Sequence, residues 1–153
     1  MLQKIISGGQ TGVDRAALDV AIELGLSHGG WCPKGRKAED GVIPKRYCLI
    51  ETPTGAYRER TAWNVWTADA TLILFFTPLS GGTKFTRDVA QLIQKPFLLV
   101  ALNDAPEPRI VSDWLRREQV HVLNVAGNRA SQHRQAYRLA KKFLREVLGL
   151  SAK

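Results

Sequence analysis

The sequence predicts a single-domain, three-layer α/β/α sandwich built on a mostly parallel sheet. Three observations carry that prediction. The chain has 153 residues, 44% apolar and 24% charged, which suits one globular domain over residues 1–150 followed by a tail at 151–153. Apolar runs of strand length alternate with segments of helical period, the order expected of parallel βαβ units with right-handed crossovers. No internal repeat, low-complexity tract or linker interrupts the alternation.

Lys4-Ile5-Ile6 is the first strand and runs into a glycine-rich turn. Ala16, Ala17, Leu18, Val20, Ala21 and Leu24 then recur at helical spacing until Gly25 stops the helix. Tyr57 to Thr67 is a helix on which Arg60 and Asn64, four apart, share a face. Ala70 to Phe76 is a buried strand, followed by a loop from Thr77 to Thr83 and a helix over residues 84–94 that Pro96 closes. Phe97 to Leu102 is the next central strand. Ile110 to Glu118 is a short helix with Trp114 and Leu115 facing inward, and Val120 to Val125 is a further strand. The final helix covers residues 132–148, with Ala136, Leu139, Ala140, Phe143, Leu144 and Val147 as its inward stripe. Trp31 to Tyr47 breaks this rhythm, with two prolines, two glycines and seven charged residues. Loops of that length tend to be functional, so a ligand cover is expected; a disordered excursion or a subunit contact is the alternative.

Composition excludes several classes of function. The net charge is +8, but residues 129–153 carry +6 of it, leaving only +2 on the first 128. Arg134, Arg138, Lys141, Lys142 and Arg145 fall on the outer face of the last helix, with no aromatics interleaved for base stacking. That is solvated surface, and no nucleic-acid partner is expected. The apolar runs are too short to span a bilayer and the first residues lack a signal-peptide core, so a cytoplasmic protein without a membrane partner is expected. Cys32 and Cys48 form no CxxC pair, and His28, His121 and His133 form no HxxxH or HExxH, so no metal site is expected.

In a parallel sheet, ligands bind at the carboxyl edge of the strands, where the βα loops emerge. Three of those loops are rich in glycine. The first holds Gly8, Gly9, Gln10, Thr11, Gly12, Asp14 and Arg15; the second Gly81, Gly82 and Thr83, with Thr86 one turn on; the third Gly127, Arg129 and Ser131. Glycine lets backbone approach a ligand, and the amides of a helix start attract anions. A single such loop is more often just a tight connection, whereas three on one rim point to anion or nucleotide binding. The first loop is neither a Walker A loop nor GxGxxG. Arg15, Lys34, Arg36 and Arg129 are available to neutralise a bound anion, with Gly35 between the two loop cations. Asn64 pairs either with ligand or with a neighbouring carbonyl, and Asp14 either orients a ligand hydroxyl or Arg15 or suits the helix dipole. No general base stands out; Glu39, Asp40 and Asp88 are the carboxylates near the rim.

SGGQTGVDRAALD (7–19), GGWCPKGRKAEDGVIP (29–44), the RTxxNV of 60–65, DATLI (69–73), GGTKFT (81–86) and LNVAG (123–127) resemble the molybdenum carrier family. This is the circularly permuted YpsA-like branch of the SLOG superfamily, and the resemblance covers nearly the whole chain. It implies a Rossmann-like fold and a glycine-rich rim that holds nucleotides or related phosphorylated ligands. It also points to Gly8, Gly9, Thr11, Gly12, Asp14, Arg15, Lys34, Gly35, Arg60, Asn64, Gly81, Gly82 and Thr83 as the rim residues. The chain departs where relatives read GPRES, having Gly127-Asn128-Arg129-Ala130-Ser131, and before DAT, having Trp66-Thr67-Ala68 rather than the usual Asp-Ser. The first change removes a carboxylate, and the phosphoribohydrolase pattern PGGxGTxxE is absent. The expectation is therefore a binding protein, a carrier or sensor of molybdenum cofactor or a nucleotide-like ligand, assembled as a homo-oligomer (dimer or tetramer). A nucleotide or nucleoside hydrolase of phosphoribohydrolase type at the same rim is the alternative, with no catalytic residue assigned.

Overall fold

The computed structural model describes residues 1–151. In chain order the elements are β1 (Lys4–Ile6), α1 (Val13–Glu23), β2 (Ser27–Gly29), β3 (Trp31–Cys32), β4 (Lys37–Ala38), β5 (Gly41–Val42) and β6 (Ile50–Glu51). There follow α2 (Tyr57–Thr67), β7 (Ala70–Phe75), α3 (Gly81–Leu92), β8 (Phe97–Ala101), α4 (Pro108–Arg117), β9 (Val122–Gly127) and α5 (Ala136–Ser151). Ser151 closes α5, so the rest of the tail read at 151–153 lies outside the described residues.

Five strands form one sheet in the order β2-β1-β9-β7-β8, and every ladder in it is parallel. The α/β sandwich expected from the alternation is the observed architecture. Strand side chains alternate between faces with period two. Ile5, Leu72, Leu74, Leu123 and Val125 point into the main core beneath α1, α4 and α5. Ile73, Thr71 and Asn124 are buried but lie outside that cluster, on the side covered by α2 and α3. In α5, Ala136, Ala140, Phe143, Leu144 and Val147 are buried while Lys141 and Arg145 pair outward with Glu23. Arg138, Lys141, Lys142 and Arg145 against Glu146 give α5 +3 of the net +8, and Arg134, expected on the outer face of this helix, lies before its start.

Several expectations shift. α3 begins at Gly81 instead of residue 84, which puts Gly81, Gly82 and Thr83 in its first turn, and β9 runs to Gly127 instead of Val125. The final helix begins at Ala136 instead of residue 132, because Gln132 folds the preceding residues into a separate turn. Its Oε1 accepts from Asn128 Nδ2 (3.1 Å) and Arg129 N (3.2 Å), which turns the chain away from a helical path. The 31–47 segment is not structureless. β3 pairs with β6, β4 pairs with β5, and Cys32, Ala38, Ile43 and Tyr47 form a second small core with Leu18 of α1.

Candidate functional site

β1 runs outward through α1 to β2, and β7 runs outward through α3 to β8 on the other side of β9. The two connections diverge, leaving a crevice at the carboxyl ends of β1, β9 and β7. A cleft lies there, lined by Gly8, Gln10, Asp14, Arg60, Asn64, Gly82, Thr83, Thr86, Gly127 and Arg129 of the expected residues. The second and third glycine loops and α2 therefore meet the first loop in one place. Thr61, Asn124 and Gln132 also line the cleft and were not singled out. Asn124 had a signal: it is the one amide in the apolar strand Val122–Gly127, and its Nδ2 reaches Thr71 Oγ1 across the sheet at 3.3 Å.

The three glycine loops are built differently. Val13, the first residue of α1, donates its amide to the Asn128 carbonyl at 3.1 Å. The sequence led us to expect free amides there; the third loop already satisfies the first of them. Gly12 has φ +83°, and a Cβ on it would stand 2.4 Å from that carbonyl. Asn128 ties the loops further, its Oδ1 accepting from Phe76 N at 2.8 Å. The start of α3 is open by contrast. Gly81 and Gly82 are exposed, a Cβ on either would meet nothing within 4 Å, and no side chain caps the helix. Amides at an uncapped helix start lack intrahelical acceptors and carry the positive end of the dipole. Thr83 and Thr86 are buried behind them, and Thr86 Oγ1 donates to the Gly82 carbonyl at 2.8 Å.

Arg60 is only 8% exposed. Its Nη1 donates to the Gly8 carbonyl at 3.0 Å and its Nε to Thr61 Oγ1 at 3.2 Å. Its guanidinium also lies over the Tyr57 ring. No carboxylate pairs with it among the described residues. Burial pulls its pKa below the usual guanidinium range, and the charge of Asp14 opposes that shift. Asp14 is the single carboxyl among the residues lining the cleft. Burial pushes its pKa up, while the Arg60 charge and the 3.1 Å bond from Gln10 N hold it back. Arg129 lies over Tyr57 as well, with its Nη1 3.9 Å from Glu39. The cleft thus offers mostly donors and positive charge, matched to an oxyanion.

Asn64 brackets Trp31, with Nδ2 donating to its carbonyl (2.9 Å) and Oδ1 accepting from its amide (2.8 Å). Of the two partners left open for it, the neighbouring backbone is the one seen. Gly9, Thr11, Gly12, Arg15, Lys34, Gly35, Arg36, Gly81 and Ser131 lie outside the cleft lining. Arg15 donates to the Gly9 carbonyl at 3.0 Å and pairs with both Asp40 oxygens. Arg36 donates to the carbonyls of Ile43, Pro44 and Tyr47, so it staples the 36–47 segment. Lys34 and Gly35 are exposed, and Gly35 donates its amide to Glu51 Oε1. Thr11 and Ser131 both bond to Glu39. Among the described residues no three His, Cys, Asp or Glu cluster to hold a metal ion, and no helix is long and apolar enough to cross a membrane.

The model of the circularly permutated YpsA SLOG family matches residues 5–148. The chain is 42% identical to a protein of Syntrophus aciditrophicus SB whose crystal structure is described as that of a "Putative molybdenum carrier protein", with a TM-score of 0.91 over 96% of this chain and 95% of that one. No curated protein matches. With the fold, the ordered motifs and the matched span all in agreement, the chain belongs to the circularly permuted YpsA family of SLOG proteins.

Proposed function

We propose that this protein is a carrier or sensor that binds a phosphorylated ligand, molybdenum cofactor or nucleotide-like, at the glycine-rich loops on the carboxyl edge of the sheet. One observation carries the reading: the uncapped start of α3 and the buried Arg60, which among the described residues forms no salt bridge, line the same cleft. A desolvated cation beside free amides favours a multiply charged anion and disfavours neutral groups. Phosphate and molybdate are both tetrahedral oxyanions that accept such donors, so the chemistry is compatible with the description of the Syntrophus protein.

Asp14 favours a second reading. It is the one carboxyl lining the cleft, burial raises its pKa, and hydrolysis of a nucleotide at its glycosidic bond requires a carboxyl at the reacting centre. Native mass spectrometry after incubation with molybdenum cofactor and a nucleotide panel separates the two. Retention of an intact phosphorylated ligand is the expected result. Release of free base assigns hydrolysis instead, and an unliganded mass throughout removes the proposal.

A further inference from the structure

The strongest unexplained feature is the tip of the β4–β5 hairpin. Its strands are two residues each, paired Lys37↔Val42 and Ala38↔Gly41, with Glu39 and Asp40 as the turn. So short a pairing is marginal on its own. Beyond the Arg36 staple and the buried Ala38 and Ile43, two carboxylates tie the tip to the rim. Glu39 accepts from Thr11 Oγ1 and from Ser131 N (3.1 Å) through one oxygen, and from Ser131 Oγ (2.6 Å) through the other. Arg129 lies 3.9 Å away. Asp40 takes Arg15 in a two-pronged pair of 2.5 and 2.7 Å. Four of the residues expected to serve a bound anion, Thr11, Arg15, Arg129 and Ser131, are therefore occupied by the chain's own anions.

Two further observations bear on the cleft. Its volume is about 50 Å³, small beside roughly 300–1,000 Å³ for ordinary small-molecule pockets, and Glu39 reaches its lining through Gln10 and Arg129. Gln10, 5% exposed, has its amide orientation fixed by the hairpin: Oε1 accepts from Glu39 N (2.9 Å) and Thr11 N (3.1 Å). Its Nε2 is left buried with no acceptor. Among the described residues it is the one buried side-chain nitrogen or oxygen without a partner, and such donors ordinarily find one.

We propose that Glu39 and Asp40 form an acidic strap that occupies the cationic rim of the cleft, and that a tetrahedral oxyanion opens the site by displacing it. This rests on the oxyanion reading of the cleft and names the regulation of that site. The entering anion takes over Arg129, which lines the cleft, and supplies the acceptor that Gln10 Nε2 lacks. Both carboxylates act as ionised surrogates. Arg15 lowers the pKa of Asp40, and the Ser131 and Thr11 bonds outweigh burial to lower that of Glu39. A closed strap lowers apparent affinity by the fraction of molecules that are open.

The test titrates inorganic phosphate calorimetrically into the full chain as wild type, Glu39→Gln, Asp40→Asn and the double variant, with circular dichroism to establish folding. Hydrogen exchange of residues 36–42 is followed with and without phosphate. Phosphate binding about tenfold tighter in the double variant, with faster exchange of 36–42 in liganded wild type, supports the strap. Binding seen only in the variants supports it equally. If wild type binds and the folded variants bind no more tightly, the strap is overturned and the cleft reading stands. Phosphate ignored by all four proteins overturns both. Should the double variant fail to fold, the single variants carry the same comparison with a smaller gain.

Discussion

The first and second glycine loops look alike in sequence and behave oppositely in the fold. Gly12 of the first loop is wedged against the Asn128 carbonyl, and Gly127 of the third loop is packed as tightly, with the Leu74 carbonyl 2.0 Å from where its Cβ would be. These glycines let backbone meet backbone, and they weld β1, β7 and β9 at the rim. A Cβ on Gly82 would meet nothing within 4 Å. Packing does not require glycine there, so the bare helix start is available to something outside the chain. The two loops teach that a glycine-rich rim holds two kinds of residue, frame and seat, and that only the space around each tells them apart.

Substitutions should split along that line. Gly127→Ala and Gly12→Ala should be the most damaging, each losing about 3 kcal/mol in urea unfolding, because a Cβ overlaps backbone that has nowhere to move. A loss under about 1 kcal/mol at either position would remove the frame assignment. Gly82→Ala should gain about 0.5 kcal/mol, since alanine suits a helix better than glycine and no neighbour is in the way.

Acid should loosen the hairpin before the frame. Glu39 and Asp40 have folded pKa values below their ordinary 4.5 and 3.8. The stability they give is complete above those ordinary values and is lost as pH falls through the lowered ones. Exchange of residues 36–42 should therefore quicken as pH drops below about 4, and Glu39→Gln with Asp40→Asn should abolish that dependence. Faster exchange on raising the pH instead would contradict the sign. The smallest effect belongs to the far side of the molecule. Arg145 pairs with Glu23 on an exposed face, so Arg145→Gln should leave both melting temperature and phosphate affinity close to wild type.

The fold was legible because strand-length apolar runs and helical stripes follow directly from burial, and Ile5, Leu72, Leu123 and the α5 stripe are buried as the periodicity requires. Much of the cleft was legible for a similar reason, since chain order alone places βα loops on one edge. The shared helical face put Arg60 beside Asn64, and the family resemblance pointed to both as rim residues. The partners were not legible. Nothing local shows that Asn128 caps α1 through its carbonyl, that Arg36 turns back on Tyr47, or that Glu39 crosses to Ser131, ninety-two residues away. The last two contacts depend on how the 31–47 segment folds, which its lack of period left invisible, and the first depends on how the third loop meets α1.

Whether the start of α3 holds an oxyanion can be read from one calorimetric titration of phosphate into Gly82→Asp beside wild type. An aspartate in the first turn suits the helix dipole, so the variant should melt no lower than wild type, yet its carboxylate occupies the open side of the cleft. The account predicts full stability with at least a tenfold loss of phosphate affinity. Unchanged affinity in a folded Gly82→Asp protein would contradict it.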